Sequence, residues 1–419
     1  MKQRIHNKPL PVLFFTIFVD LIGFGILIPI LPQLFANPSS AFFLLPPSYG
    51  VRQGYVLLGL LIGIFPLGQF LATPILGQMS DKYGRKKILA LSLAGTALSY
   101  ILFATGVLTK NIPLLFFARA FDGITGGNIS VAQAAIADVT PPDKRARNFG
   151  LIGAAFGLGF IFGPFLGGKL SDPAVFSWFN ASTPFWFAAI LSFLNVVSLL
   201  FFLPETHKTR NHTLRIDWTR STKNIFRAFR LQNMQTLFST IFLYQAGFSF
   251  FITFFGVFLI QRFAFTQGHI GNFFAYIGLW STFTQGVITR FVAKKFKEDR
   301  VLRISLFGSG IAILLLFFTR VPWELYVFAP LLPLCNGLTQ ANFTGLVSRS
   351  VGPEIQGEIL GISSSVQALA MSVPSILSGF IAATLTPQTP IIVSSIGILF
   401  AGLTFVTFYR AVFRPTMGS

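Results

Sequence analysis

Charge, sulfur and imidazole are scarce in this chain. Only 11% of its 419 residues are charged, where a soluble globular domain has about 25%. A single cysteine, Cys335, excludes an internal disulfide. The four histidines, His6, His207, His212 and His269, fall at segment ends or in links. They lack the spacing of a metal site, and neither G-x-S-x-G nor H-E-x-x-H occurs. No metal or other cofactor is expected, and no nucleophile-and-base constellation supports a membrane enzyme. Acids are the scarcest charge, 13 against 32 lysines and arginines.

Apolar residues make up 53% of the chain, with 52 phenylalanines. Long apolar runs recur along the whole length, at about 10–35, 51–79, 88–108, 112–138, 147–171, 181–203, 235–261, 267–292, 302–319, 322–348, 357–384 and 389–410. Each exceeds the roughly 10 residues of a membrane barrel strand, and lipid tolerates only helices or closed barrels as spanning elements. An all-α membrane protein with twelve transmembrane helices is therefore expected. The first run is too long for a secretory signal and lacks a small-residue cleavage site, so it reads as span 1.

The formal charge of +19 would suggest nucleic acid in a soluble protein. Its distribution points elsewhere. Twenty-six of the 32 basic residues lie at the termini and in or at the edges of the links after even-numbered spans, five lie in or at the edges of the other links, and Arg119 alone lies deep inside a span. By the positive-inside rule both termini are cytoplasmic. The basicity orients the chain and meets anionic lipid heads; no nucleic-acid partner is expected.

Charge within hydrocarbon is unfavourable by roughly 3 kcal/mol or more per group, so it marks function or a buried partner. Asp20 stands about ten residues into span 1, in DLIGFGILIPILP, which places it near mid-bilayer. Arg119 and Asp122 reach the same depth in span 4 and share a helix face at i, i+3. One permanent cation between two carboxylates can hold one acid ionised while the other exchanges its proton. The constellation Asp20, Arg119 and Asp122 is the expected proton-coupling centre; a permanent structural ion pair is the alternative.

Span 2 ends in GQMSDKYGRKK. Its spacing, with Gly77, Asp81, Gly84 and Arg85, resembles the loop signature of the major facilitator superfamily. Arg119-Ala-Phe-Asp-Gly123 is similar to that superfamily's R-x-x-x-G element. GLGFIFGPFLGG in span 5, with Gly159, Gly163, Pro164, Gly167 and Gly168, resembles its antiporter-associated glycine-proline element. ITGG at 124–127, IADVT at 136–140 and RARNFG at 145–150 are similar to tetracycline/proton antiporters and related drug:proton exporters. The resemblance implies two pseudo-symmetric six-helix halves and proton-coupled alternating access. It also implies a gating pair of Asp138 with Arg85, Asp81 facing the start of span 11 near Gly357, and a span 5 that limits proton leakage.

The residues support the two-half layout. At an offset of 211, Gly126 matches Gly337, Asp143 matches Glu354, Gly150 matches Gly361 and Gly168 matches Gly379, as two parallel repeats require. The expected division is 1–203, a linker at 204–233, and 234–419. The linker carries seven basic residues, with Ile216, Trp218, Ile225, Phe226 and Phe229 forming an amphipathic stretch for the membrane surface. The buried part of the second half has almost no charge. Its uncharged polar residues are Tyr244, Gln245, Asn272, Tyr276, Gln285, Asn336, Gln340, Asn342 and Gln367. Most suit interhelical hydrogen bonds; Tyr244, Gln245, Asn272, Tyr276, Gln285, Asn336 and Gln340 are the candidate substrate contacts of an aromatic cavity.

The expected function is export of an amphipathic small molecule in exchange for protons, by a monomer in the cell inner membrane. The alternative is a proton-coupled importer of a metabolite or siderophore on the same fold. A receptor or scaffold would not need the buried charges.

Overall fold

A computed structural model describes residues 9–141, 145–207, 215–231, 234–351 and 356–409; the side chains of 145–147, 149–152 and 356–358 are not among them. Every regular element in these residues is helical. The first half comprises α1 (Pro9–Phe35), α2 (Val51–Tyr83), α3 (Arg85–Leu108), α4 (Ile112–Thr125), α5 (Asn128–Asp138), α6 (Arg145–Leu170) and α7 (Thr183–Phe202). A surface helix, α8 (Arg220–Arg230), follows. The second half comprises α9 (Gln235–Phe263), α10 (Gln267–Phe283), α11 (Thr289–Lys295), α12 (Glu298–Phe318), α13 (Pro322–Phe328), α14 (Leu331–Arg349), α15 (Gln356–Thr384) and α16 (Thr389–Phe408).

Nine of the described helices are individually long and apolar enough to cross a bilayer. The other three expected spans are present but interrupted, which corrects their reading as continuous helices. Span 4 is α4 and α5 joined by a turn at Gly126-Gly127. There the Asp122 carbonyl accepts the Gly126 amide at 2.6 Å, and Thr125 Oγ1 bonds back to Phe121 O at 3.1 Å. Span 8 is α10 and α11 joined by a π-turn, Thr284–Ile288. Span 10 breaks between α13 and α14 at Ala329-Pro330, where proline has no amide to donate. Irregular backbone at membrane depth is tolerated where protein or a cavity, not lipid, surrounds it.

The packing repeats six spans apart. In the first half α1 packs on α6, α2 on α4 and α3 on α7; in the second, α9 packs on α15, α10 on α14 and α12 on α16. The contacts between halves repeat as well, α2 with α15 and α6 with α10. Two parallel repeats related by an axis along the membrane normal give this pattern.

The two faces of the molecule differ. On the face away from the 77–87 loop, α2 and α15 touch backbone to backbone. A Cβ on Gly59 would lie 2.9 Å from Gly379 Cα, so this approach requires glycine on both sides. Ser372 Oγ donates to Gly63 O at 2.9 Å, and Gln261 Nε2 donates to the Tyr55 hydroxyl at 2.7 Å. Phe254, Val257 and Ala382 of the second half are buried in the first half's core cluster here. On the basic-loop face the same two helices separate: a Cβ on Gly77 or on Gly361 would meet nothing within 4 Å. The α2–α15 seam is thus tight away from the basic loop and borders open space at Gly77 and Gly361, whereas α6 stays against the second half, Gly153 by Gln285 and Gly157 by Thr282.

Gly59→Leu should wedge the closed seam apart, since overpacking a tight contact costs about 1–3 kcal/mol. With Tyr55→Cys as reporter in a Cys335→Ser background, thiol labelling of the purified protein is expected to accelerate roughly tenfold. Unchanged labelling would show that the seal lies elsewhere.

Candidate functional site

Three helices bring the first half's charges together. Arg119 and Asp122 lie one turn apart on α4, and Arg119 Nη1 donates to Asp122 Oδ2 at 3.1 Å. Both side chains are 5% exposed, so the pair is desolvated and each charge needs the other. The Arg119 guanidinium carbon also stands 4.3 Å from the Phe65 ring centroid, a cation–π contact that strengthens out of water. Phe65 reaches it because α2 and α4 meet at Gly68 and Gly123, where a Cβ on Gly68 would lie 2.8 Å from Gly123 C. Ser99 Oγ of α3 donates to Ala118 O at 2.8 Å, and Gln69 Nε2 of α2 donates to Gly126 O at 2.9 Å. The arginine is thus held from two sides.

Asp20 has no such restraint. Neither carboxylate oxygen makes a hydrogen bond of full geometry among the described residues, although the Asn128 side chain is close enough for a long one. Asn128 is the first residue of α5, and its side-chain oxygen and nitrogen likewise make none of full geometry among these residues. Asp122 lies within electrostatic reach of Asp20, and the Tyr100 hydroxyl of α3 within reach of both acids and of Arg119. That hydroxyl occupies the space that a Cβ on Gly23 would fill. The three residues expected as the coupling centre therefore share one neighbourhood, with Arg119 committed to Asp122. Sequence reasoning missed Asn128, Tyr100 and Phe65. The signal for Asn128 was its place directly after the ITGG glycines, where the span restarts with the positive end of a helix dipole beside a carboxylate.

The glycine-proline element of α6 packs against the helix that carries Asp20. Gly159, Gly163 and Gly167, spaced by four, meet Leu21, Gly25 and Ile26 of α1, while Gly168 meets Gln267 and Gly271 of α10. Pro164 lies against both helices, touching Gly25 and Gly271.

At the basic-loop face, Gly84 takes φ 103° and ψ 146°, a region closed to most L-residues, and turns the chain from α2 into α3. Arg85 then pairs with Asp138 at 3.1 Å, the contact the resemblance implied. It also pairs with Asp81 at 2.7 Å. Asp81 thus bonds back to Arg85; the expected contact near Gly357 lies outside the described side chains. Gly77 faces open space. The sequence reading took LPETH only as the close of span 6, yet Glu205 Oε1 accepts the Arg85 amide at 2.9 Å and the His207 amide at 3.1 Å. It supplies the acceptor that the start of α3 lacks, since Gly84 has no side chain to cap with.

The second half holds a counterpart of reversed sign. Glu298, the first residue of α12, pairs with Arg349, the last of α14, at 3.2 Å. At the offset of 211, Arg349 is the residue matching Asp138, while Glu298 lies two residues beyond Phe296, the match of Arg85. The matched acids Asp143 and Glu354 lie outside the described residues.

The uncharged polar residues of the second half divide into two sets. Gln340 Nε2 donates to Gln245 at 3.0 Å, Gln245 Nε2 to Gln367 at 3.2 Å, and Gln367 Nε2 to Ser363 at 3.2 Å. This amide ladder links α14, α9 and α15. Gln285, in the π-turn, faces Gly153 of α6 across the seam. The others are used locally. The Tyr244 hydroxyl is fully buried and donates to Asn336 Oδ1 at 2.8 Å. Tyr276 donates to Tyr326 O at 3.0 Å, Asn342 to Leu338 O at 2.7 Å, and Asn272 is exposed near the start of α10.

Two packed six-span repeats, with ionisable side chains buried inside the first, define a membrane transporter and not an enzyme. The chain belongs to the Major Facilitator Superfamily, whose model matches residues 13–375. It is 30% identical over 377 residues to the class E tetracycline resistance protein of Escherichia coli, covering 90% of this chain and 88% of that one. It is 32% identical over 382 residues to the class H protein of Pasteurella multocida, covering 90% and 89%. Among solved structures, the human organic anion transporter superposes with a TM-score of 0.72 at 25% identity, over 96% of this chain and all of that one. A D-xylose-proton symporter gives 0.76 at 16% identity, over 96% and 98%, which is a likeness of fold.

Removing the acceptor at the start of α3 by Glu205→Ala should cost about 1 kcal/mol, the usual loss for a helix N-cap. The expected reading is a lower thermal unfolding midpoint in detergent, largely restored in Glu205→Gln. A variant as stable as the parent would show the contact to be incidental.

Proposed function

We propose that this chain exports an amphipathic small molecule, a drug or metabolite, in exchange for protons, as a monomer in the cell inner membrane with both termini cytoplasmic. The observation that carries the reading is the Asp20 carboxylate, buried with no cation paired to it among the described residues, near Asp122 and Asn128, while the arginine of the same half is engaged by Asp122. A buried polar group without a hydrogen bond is unfavourable by a few kcal/mol. A proton on Asp20, or a move of Arg119 from Asp122 to Asp20, relieves it. Such a site has two arrangements of similar energy, and a bound proton selects between them.

Arg119 stays charged throughout and acts as the fixed reference. When the seam is open to the acid side, Asp20 takes up a proton; when it opens to the other side, the proton leaves and substrate binding is reset. The glycine stripe of α6 keeps α1 tightly packed, so that protons cross only with the conformational change. The substrate sits between Phe24, Phe65 and Phe160 of the first half, whose rings form a cluster, and the Gln245–Gln340–Gln367 ladder and Gln285 of the second. That surface is aromatic with a few amides, which suits an amphipathic molecule. Two of the relatives are tetracycline resistance proteins, which supports a drug-like cargo and the outward direction. Residues 1–203 and 234–419 form the moving halves, with 204–233 as the cytoplasmic link; α8 falls inside that link.

The test is transport by purified protein in liposomes under an imposed pH gradient, with a panel of labelled drugs and metabolites. Substrate should move against its own gradient only when protons flow oppositely. Asp20→Asn should lower this driven transport about a hundredfold while leaving substrate exchange at equal pH within about threefold of the parent, because the lost interaction belongs to the coupling step. Full proton-driven transport in Asp20→Asn would remove the mechanism, and flow of substrate with protons would make the chain an importer.

A further inference from the structure

Helix α8 is held by one helix from each half. Its buried face is small and polar: Ser221 Oγ donates to Leu71 O of α2 at 3.0 Å, Asn224 Nδ2 donates to Ser365 Oγ of α15 at 3.2 Å, and Ala228 is fully buried. Just before the helix, the Asp217 amide donates to Gln78 Oε1 at 2.9 Å, and Gln78 Nε2 returns a bond to Asp217 O at 3.3 Å. The Asp217 carboxylate is held down to about 2 by its bonds to Lys223 and Thr219, so this anchor stays ionised.

The outward face has a different composition. Trp218 is 71% exposed and Phe226 61%, beside Arg220, Lys223, Arg227 and Arg230, and no acid occurs from Trp218 to Leu231. Phe226, Arg227 and Arg230 border a shallow, open surface patch of α8, while Lys223 at its edge pairs with Asp217 at 2.7 Å. Leu71, to which the helix is pinned, is itself half-exposed in the last two turns of the apolar stretch of α2, before Gln78. Exposed aromatic side chains at that level lie among lipid headgroups, and a basic amphipathic helix there lies in the interface plane.

We propose that the outward face of α8 is a binding site for anionic phospholipid headgroups of the leaflet on the basic-loop side, with the phosphates held over the exposed patch of Phe226, Arg227 and Arg230. A headgroup so placed also bears on conformation. Helix α8 bridges α2 and α15 on the face where they part. Bringing those two helices together there requires the Ser221 bond or the Asn224 bond to give. Lipid that fixes α8 in the interface therefore favours the state open on the basic-loop face. The proposal needs only that the chain spans a membrane; it is independent of substrate and proton coupling.

The test uses the full chain in lipid nanodiscs containing phosphatidylcholine alone or with phosphatidylglycerol, one lipid at a time carrying brominated chains as fluorescence quenchers. The contribution of Trp218 is read as the difference between the parent and Trp218→Phe. Brominated phosphatidylglycerol should quench Trp218 at least threefold more than the same fraction of brominated phosphatidylcholine. Basic residues near an anionic surface each add roughly fivefold to local binding, so Arg227→Gln/Arg230→Gln should abolish that preference while quenching by phosphatidylcholine persists. Arg230→Gln alone should halve the preference or more, and high salt should weaken it in the parent without any substitution. Equal quenching by the two lipids, absence of quenching, or a preference insensitive both to salt and to the substitutions would overturn the proposal.

Discussion

The pairing of Arg119 with Asp122 in a desolvated setting is the constraint around which the first half is built. An arginine at this depth cannot shed its charge, and hydrocarbon offers it no counter-charge. The chain therefore supplies a carboxylate one turn away and an aromatic face at 4.3 Å. These demands fix other parts of the sequence. Phe65 can cover the guanidinium only if α2 lies against α4, and that approach is set by Gly68 and Gly123. The turn at Gly126-Gly127 follows immediately and lets a second helix start beside Asp20. With Arg119 occupied, Asp20 is left as the acid whose environment is incomplete, and an incomplete environment is what a change of state can alter.

The same economy governs the interfaces that move and those that do not. Within each half, helices interlock through large buried side chains such as Phe251, Phe255 and Phe273. Between halves, contact combines small residues and hydrogen bonds, as at Gly59, Gly379 and Ser372, with large side chains such as Phe254, whose ring meets that of Tyr55 at 6.1 Å. Smooth backbone surfaces separate without repacking, whereas interdigitated side chains resist it.

Most of the architecture was legible in the residues. Twelve apolar runs, the asymmetric placement of lysine and arginine, and the 211-residue offset led to two six-span repeats, because hydrocarbon thickness and backbone satisfaction leave few other solutions. The depth of Asp20, Arg119 and Asp122 followed from helix rise alone. What stayed hidden depended on tertiary neighbours. The breaks in spans 4, 8 and 10 escaped because glycine and proline are common in continuous membrane helices too, so composition does not separate a kink from an interruption. Asn128 looked like an ordinary polar residue until the helix was seen to restart there. Glu205 sits 120 positions from the amide it receives, beyond the reach of any local pattern. Arg349 matches Asp138 at the repeat offset, but its partner Glu298 lies two residues beyond the match of Arg85, so the offset alone did not reveal the pair.

The glycine seam between α2 and α15 has a consequence for speed. Parting it would bare main chain and a few hydroxyls, whose lost bonds water can replace, but also the rings of Tyr55 and Phe254, which meet at 6.1 Å between the halves. Opening there would therefore be slowed by the apolar surface it exposes rather than by the hydrogen bonds it breaks.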